Sequence, residues 1–221
     1  MTEKISLLDQ QGPEPSDSKG LRIVEEATKV FWKYGIRSVT MDDVARHLGI
    51  SKKTLYQYVT DKSDLVTKVL NNTSDRFSVE IDRIRANGHN AIDEMLAIAS
   101  YISKQISAFH PSIYFDLAKY YPEACRIMDK NKQVLVVEQI AENMRKGMRE
   151  GLYRADMNVP LLAKLYVVRF DHAMTMEMGQ QTGLGLAEMN WELFRYHIHG
   201  IASDKGIKYL EKKVTKERIE P

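Results

Sequence analysis

Two helix-start signals separated by a glycine constrain the fold of this chain more than any other feature. Thr40 is followed three residues later by Asp43, so its hydroxyl can accept the Asp43 backbone N–H while the carboxylate reaches back. This pairing predicts a helix that begins at Met41. Gly49 then stands where a chain leaving a helix commonly needs positive φ, and Ser51 can cap a second helix. The pattern therefore indicates two short helices joined by a tight turn.

The second helix of this pair is predicted to bury one face and to present polar groups on the other. Leu55 and Val59 lie four residues apart, which places them together on the buried side. In a helix-turn-helix the second helix enters the major groove of DNA, where glutamine pairs with adenine and lysine with guanine. An ordinary helical hairpin with a solvated basic face is the alternative on pattern alone. The residues expected to read bases are Lys52, Lys53, Thr54 and Gln57, and those expected to position phosphates are Thr40, Tyr56, Tyr58 and Lys62.

The residues of this pattern belong to a longer motif without gaps. The motif runs TMDDVA from Thr40, LGISK from Leu48, TLYQYV from Thr54 and KSDL from Lys62, with Ala27, Phe31 and Gly35 upstream. It resembles the DNA-binding segment of TetR/AcrR-type transcriptional regulators over roughly residues 19–66. Val59 departs from the family, in which many members carry Phe, but both side chains are apolar. The resemblance implies a dimeric regulator that responds to a ligand.

Charge and composition limit the classes of protein that the chain can be. The formal net charge is only +2, so any affinity for nucleic acid must come from locally placed charge. A hydrophobic content of 43% with 28% charged residues is typical of a globular protein. The single cysteine, Cys125, excludes an intramolecular disulfide. Because the sequence shows neither a signal peptide nor an apolar run long enough to span a bilayer, we expect a cytoplasmic protein with no membrane partner.

Helical periodicity runs through the rest of the chain, and it predicts an all-α fold. An N-terminal three-helix helix-turn-helix DNA-binding domain should precede a C-terminal helical bundle for ligand binding and dimerisation. The helix that starts at Lys62 should connect the two, and the resemblance implies that such a helix transmits ligand binding. The predicted divisions are a mobile segment at 1–17, the DNA-binding domain at 18–66, the regulatory and dimerisation domain at 67–203 and a charged tail at 204–221.

Two late helices, at about 159–180 and 186–201, are predicted to be amphipathic and to be joined by a short glycine-containing loop. A pair of this kind can join a second copy in a four-helix bundle, or it can complete the core of a single molecule. The resemblance favours a homodimer through these two helices.

Aromatic and methionine side chains in the C-terminal half are candidates for an effector pocket. Methionine fills irregular gaps and suits loosely shaped apolar ligands, although ordinary core packing is the alternative. Such a pocket would take an apolar or amphipathic small molecule and hold it with one polar anchor. The candidate lining is Tyr114, Phe115, Met144, Phe170 and Met174, and the candidate anchors are Arg169 and His172.

The sequence offers no positive support for a catalytic, metal or cofactor site. His197 and His199 are two residues apart, so on a helix they point in nearly opposite directions and cannot share an ion. Cys125 with Asp171 and His172 lacks the local signature of a thiol enzyme. We therefore predict no enzyme activity, no catalytic residue and no cofactor.

The predicted function is that of a transcriptional repressor that binds a palindromic double-stranded DNA operator and is released by a small-molecule effector. Two other functions remain open from the sequence. One is a helical small-molecule-binding protein that has lost DNA reading, which a gel shift on its own promoter region would distinguish. The other is an enzyme built on a helical bundle, which a catalytic constellation would support.

Overall fold

A computed structural model describes residues 15–110, 112–173 and 181–217, without the side chains of 15–17, 125–134 and 214–217. Within these residues the fold is all-α, as predicted, apart from an antiparallel bridge between Tyr153 and Ala202. In the same ranges, no helix combines the length and the apolar character that crossing a bilayer requires. The helices are α1 (Pro15–Tyr34), α2 (Met41–Leu48), α3 (Lys52–Leu55), α4 (Lys62–Ala86), α5 (Ala91–Ser107), α6 (Ile113–Tyr120), α7 (Pro122–Arg149), α8 (Val159–Ala173), α9 (Leu186–Ile201) and α10 (Asp204–Glu217).

The first core joins α1, α2, α3 and the start of α4. The helix α1 begins at Pro15, slightly before the predicted domain boundary, and buries Ile23, Ala27 and Phe31 at four-residue spacing. Because this spacing puts the three side chains on one stripe, α1 covers the apolar faces of the short helices that follow it. Most of the predicted mobile segment at 1–17 lies outside the described residues.

Two later elements also belong to this first core. Ile113 and Leu117 of α6 and Ala124 at the start of α7 are buried in the same cluster. Trp32 of α1 lies against Phe109, with ring centroids 4.9 Å apart. The N-terminal helices therefore do not form their core alone, because α6 closes it from the side of the C-terminal half.

The second core lies between α5, α7, α8 and α9. Its buried side chains include Ile92 and Met95 of α5, Met144 of α7, and Phe194 and Ile198 of α9. The 25-residue helix α4 leaves the first core and contacts both α5 and α7, spanning roughly 37 Å at the usual helical rise. This is the connecting helix that the sequence predicts.

The predicted charged tail at 204–221 is helical over the residues that the structure describes. In α10, Leu210 is 4% exposed and belongs to the second core. The Tyr209 hydroxyl donates to the Asp93 carboxylate at 2.7 Å, and the Lys213 ammonium lies 3.4 Å from the same carboxylate. The structure thus corrects the prediction of a tail, because mixed charges in the sequence concealed an apolar strip that docks on the bundle.

Gly206 allows α10 to lie directly on the chain before α8, because a Cβ at this position would be 2.0 Å from the Leu152 carbonyl oxygen. We expect Gly206→Ala to lower the free energy of unfolding by ~1–3 kcal/mol, since a backbone oxygen cannot rotate away from the added methyl group. Lys208→Ala, at an exposed position of the same helix, is the control and should change it by less than ~0.5 kcal/mol. Denaturant unfolding measures both, and equal stabilities would contradict the docking of α10.

Candidate nucleic-acid interface

The start of α2 is capped as the sequence predicts. The Thr40 hydroxyl accepts the Asp43 N–H at 3.2 Å, and the Thr40 N–H donates to the Asp43 carboxylate at 2.9 Å. Hydrogen bonds from the Thr40 hydroxyl and N–H also hold the pKa of Asp43 below its usual value. Thr40 is therefore fixed at an exposed helix N-terminus, where the helix dipole favours a phosphate.

The turn between α2 and α3 depends on Gly49, which has a φ of 66° and a ψ of 29°. Its N–H donates to the Arg46 carbonyl at 3.2 Å, which closes the end of α2. A side chain would be strained in this left-handed conformation. Ser51 then caps α3 by accepting the Thr54 N–H at 3.0 Å. Both predicted caps and the predicted glycine turn are confirmed.

The inner face of α3 is anchored in the first core. Leu55 is fully buried and Val59 is 3% exposed, as their spacing predicts. The regular helix ends at Leu55, and the chain continues as a tight turn in which the Tyr58 N–H donates to the Leu55 carbonyl at 3.0 Å. The reading element is thus one turn of helix followed by a turn of the chain.

The predicted base-reading side chains lie on the outer side of this element. Lys53 and Gln57 are exposed. The Lys52 ammonium lies 3.0 Å from the Asp42 carboxylate, and this hydrogen bond raises the pKa of Lys52. Thr54 is half-buried, and its hydroxyl shares a 2.8 Å hydrogen bond with the hydroxyl that caps α3. Lys53 and Gln57 can therefore contact a partner directly, whereas Lys52 and Thr54 must first exchange an existing bond.

The predicted phosphate-positioning side chains of this region differ in exposure. Tyr56 is 42% exposed, whereas Tyr58 is half-buried against the first core with the Lys19 ammonium 5.8 Å from its ring centroid. Lys62 is also half-buried, and its ammonium lies 3.5 Å from the Arg37 carbonyl oxygen. Burial lowers the pKa of Lys62. Lys62 is therefore directed along the turn between α1 and α2.

A contact between α6 and the turn that joins α1 to α2 was not predicted from the sequence. The Arg37 N–H donates to the Asp116 carboxylate at 2.9 Å, and the Ser112 hydroxyl donates to the same oxygen at 3.1 Å. Asp116 is only 3% exposed. Ser112 is only four residues from Asp116, but the other donor is 79 residues away in sequence. No local pattern reveals such a contact.

The candidate effector residues do not form one group. Tyr114 and Phe170 contact the same small apolar cluster, which α5, α8 and α9 build. Neighbouring residues on a helix point about 100° apart. Phe115 therefore points away from Tyr114, and Arg169 points away from Phe170. Of the others, Met144 is fully buried in the second core, Phe115 is 43% exposed, Arg169 and His172 are exposed, and Met174 lies outside the described residues.

His197 lies beside this apolar cluster and was not among the candidates. Its ring centroid is 4.2 Å from that of Tyr166, which in turn stacks with Phe170 at 6.4 Å. Burial, assisted by the charge of Arg169, lowers the pKa of His197 to about 4. Burial also raises the pKa of Tyr114 and of Tyr166 to about 12. All three groups are therefore neutral at pH 7 and place hydrogen-bonding atoms in an apolar region.

A charged cleft of about 410 Å³ lies where the end of α4 meets α5 and α7. The Lys146 ammonium is 2.7 Å from the Glu94 carboxylate, and Arg85 pairs with Glu142. None of the candidate effector residues that the structure describes lines this cleft. Among the described residues, no group of three or more histidine, cysteine or acidic side chains could hold a metal ion. The residues lining the cleft are Arg85, Glu94, Glu142, Asn143, Arg145, Lys146 and Arg149.

Comparison with known proteins supports the assignment of the N-terminal helices. A family model described as bacterial regulatory proteins, tetR family, matches residues 23–69. An HTH-type transcriptional regulator of Staphylococcus aureus strain USA300 is 33% identical over 81 residues, which are 37% of this chain and 44% of that protein. The match thus spans less than half the length of the curated relatives. The region matched by the family model includes the two capped helices and the glycine turn.

Solved structures share the fold over most of the chain. A transcriptional regulator from Cytophaga hutchinsonii superposes with a TM-score of 0.71 at 19% identity, covering 85% of this chain and 100% of that one. A putative regulator from Saccharomonospora viridis in complex with choline gives 0.66 at 17% identity, covering 85% and 99%. The fatty acid degradation regulator FadR from Bacillus halodurans gives 0.62 at 17% identity, covering 87% and 98%. At these identities the likeness establishes a common fold.

The lowered pKa of the partly buried His197 predicts that the stability of the protein depends on pH. Because the pKa of His197 falls from 6.5 to about 4 on folding, the unfolded chain binds a proton in that window that the folded chain does not. The contribution of His197 to the free energy of unfolding is complete above pH 6.5. It declines by up to about 3 kcal/mol as the pH falls to about 4. His197→Phe should remove this part of the pH dependence of unfolding, whereas His199→Gln, at an exposed position of the same helix, should retain it. Identical profiles for the two variants would contradict the assignment.

Proposed function

Because this chain belongs to the TetR family of bacterial regulatory proteins, we propose that it is a sequence-specific DNA-binding transcriptional repressor that a small molecule releases from its operator. The observation that carries the proposal is the geometry of α2 and α3. Two capped helices meet at Gly49, Leu55 and Val59 anchor the second, and Lys53 and Gln57 remain exposed on its outer side. That arrangement suits insertion into a major groove.

DNA binding divides the outward side chains into two roles. Lys53 reaches base edges from the exposed side of α3 and Gln57 from the turn that follows it, and Lys52 joins them by exchanging Asp42 for the DNA. Thr54 can touch a thymine methyl group with its own methyl. Thr40, Tyr56, Tyr58 and Lys62 hold phosphates on either side of the groove, which sets the register but carries no sequence information.

A homodimer through α8 and α9 follows from their exposed apolar side chains. On α8, Leu161, Leu165 and Val168 are 51%, 45% and 62% exposed and recur at four- and three-residue steps, so they form one stripe. On α9, Tyr196 is 64% exposed. A second copy would bury this stripe in a four-helix bundle and place two reading helices on one duplex. A palindromic operator requires those helices to be about 34–36 Å apart.

The proposed effector site lies beside Tyr114 and Phe170, where His197 and Tyr166 supply neutral polar atoms. One structural relative was solved in complex with choline, and another is a regulator of fatty acid degradation. An apolar or amphipathic effector fits such a lining. It would shift the protein off DNA only by as much as it discriminates between the two conformations. The protein would act in the cytoplasm, where it meets both DNA and the effector.

The direct test of DNA reading is a selection of duplexes from a random library by the full chain. We expect a palindromic site, and we expect Gln57→Ala to alter the preference at one base pair of each half-site by ~1–3 kcal/mol. Lys62→Gln should instead weaken all sites about equally and lower the magnitude of the salt slope by ~1 for each half-site. Recovery of no preferred sequence by the wild-type protein would favour a small-molecule-binding protein that has lost DNA reading.

The proposed dimer interface can be tested separately from DNA reading. Val168→Glu should place a charge in the apolar stripe, so that the protein sediments as a monomer and loses about 100-fold or more in affinity for a palindromic duplex, since two linked half-sites bind far more tightly than one. Val79→Glu is the matched control, because Val79 is also an exposed valine, at 69%, but lies on α4. A Val168→Glu protein that remains dimeric would place the interface elsewhere.

A further inference from the structure

Two aromatic rings and two cations form an exposed patch where α6 meets the turn before α2. The patch consists of Arg37, Phe115, Lys119 and Tyr120, and we call it the α6 patch. The guanidinium of Arg37 lies 5.1 Å from the ring centroid of Tyr120, on which the Lys119 ammonium also lies at 5.5 Å. Lys119 is 5.1 Å from the ring centroid of Phe115 as well. The two rings meet edge to face at 6.3 Å, and they are 43% and 38% exposed.

The α6 patch is continuous with the proposed DNA surface. The backbone of Arg37 is fixed from both sides, because its N–H donates to buried Asp116 and its carbonyl oxygen lies 3.5 Å from the Lys62 ammonium. Thr40, the first residue of the proposed phosphate-binding set, follows three residues later. The patch therefore adjoins the N-terminal ends of α2 and α4, which both carry proposed phosphate contacts.

The cations of the α6 patch differ in their partners from many others in the N-terminal half. Ring faces attract a cation while leaving its formal charge uncompensated, so Arg37 and Lys119 still present positive charge to solvent. Asp116, the carboxylate beneath them, is buried and already accepts two hydrogen bonds. In the N-terminal helices, by contrast, several cations pair with carboxylates, in Lys29–Glu26, Arg46–Asp43, Lys52–Asp42 and Lys68–Asp64.

We propose that the α6 patch is a second DNA contact, in which Arg37 and Lys119 hold backbone phosphates of the same duplex that α3 reads. The inference rests on the proposed function and extends it, because the contact surface then reaches beyond the helix-turn-helix onto the regulatory half. Tyr120 orders both cations in advance, so less side-chain entropy is lost when phosphates bind. Its own hydroxyl is a further phosphate donor. Salt slopes that do not change in the variants would favour the competing occupant of this patch, an acidic protein segment, over DNA.

The experiment measures the salt dependence of DNA binding by the full chain and its variants. The probe is a duplex carrying the sequence that the wild-type protein selects, with ten additional base pairs on each side. Arg37→Gln and Lys119→Gln should each lower the magnitude of the slope of log K against log salt by about one for each half-site, hence about two for the dimer, and the double variant by about four, because each substitution removes one phosphate contact in each protomer. Lys104→Gln, which removes an exposed lysine of α5, is the control and should leave the slope unchanged.

Two further measurements distinguish a phosphate contact from a structural effect. Arg37→Lys keeps the charge and should keep the slope, and melting curves of all variants should match the wild type because these side chains are exposed. Ethylation of phosphates should interfere with wild-type binding at positions where it no longer affects the double variant. Slopes equal to those of the wild type and of Lys104→Gln would overturn the α6 patch while leaving the proposed function intact. Failure of the wild type to select any duplex would overturn both.

Discussion

The buried carboxylate of Asp116 joins the part of the molecule that would bind DNA to the part that would sense a ligand. It accepts the Arg37 N–H and the Ser112 hydroxyl, and it lies within a core that α6 shares with α1. A buried charge without partners would be costly, so the arrangement holds only while α6 stays against the turn before α2. The orientation of α2 and α3 therefore depends on a helix that belongs to the other half of the fold.

The reading surface itself is rigid for local reasons. Thr40 and Ser51 fix the two helix starts, and Gly49 fixes the angle between the helices by adopting a conformation that other residues avoid. Because Leu55 and Val59 are buried beneath, the backbone that carries the outer side chains is held in a defined position. A surface organised in this way loses little conformational freedom when it meets DNA, which favours specific over loose binding.

The sequence predicted contacts between residues that are close together in the chain, and it did not predict contacts between residues that are far apart in it. The caps at Thr40 and Ser51 join residues three apart, so they could be read directly. The bond from Tyr209 to Asp93 joins residues 116 apart, and without it a mixed-charge segment resembles a tail rather than the helix α10. Helical periodicity indicated that Met144 is inside, but it did not tell which core Met144 joins. The scattering of the candidate effector residues has the same cause, because periodicity assigns a face and not the neighbour that covers it.

The helix α6 is short enough that its two faces cannot act independently. It spans Ile113–Tyr120, which is about 12 Å of helix, and Tyr114 on one face contacts the apolar cluster beside which we place the effector. Asp116, two residues later, faces the turn before α2. A ligand that moves the backbone of α6 at Tyr114 would therefore shift Asp116 or break its bond to Arg37. Since the α6 patch lies on this same helix, such a displacement would alter the DNA-facing surface at two places at once: through the position of α2, and through the phosphates that Arg37 and Lys119 hold.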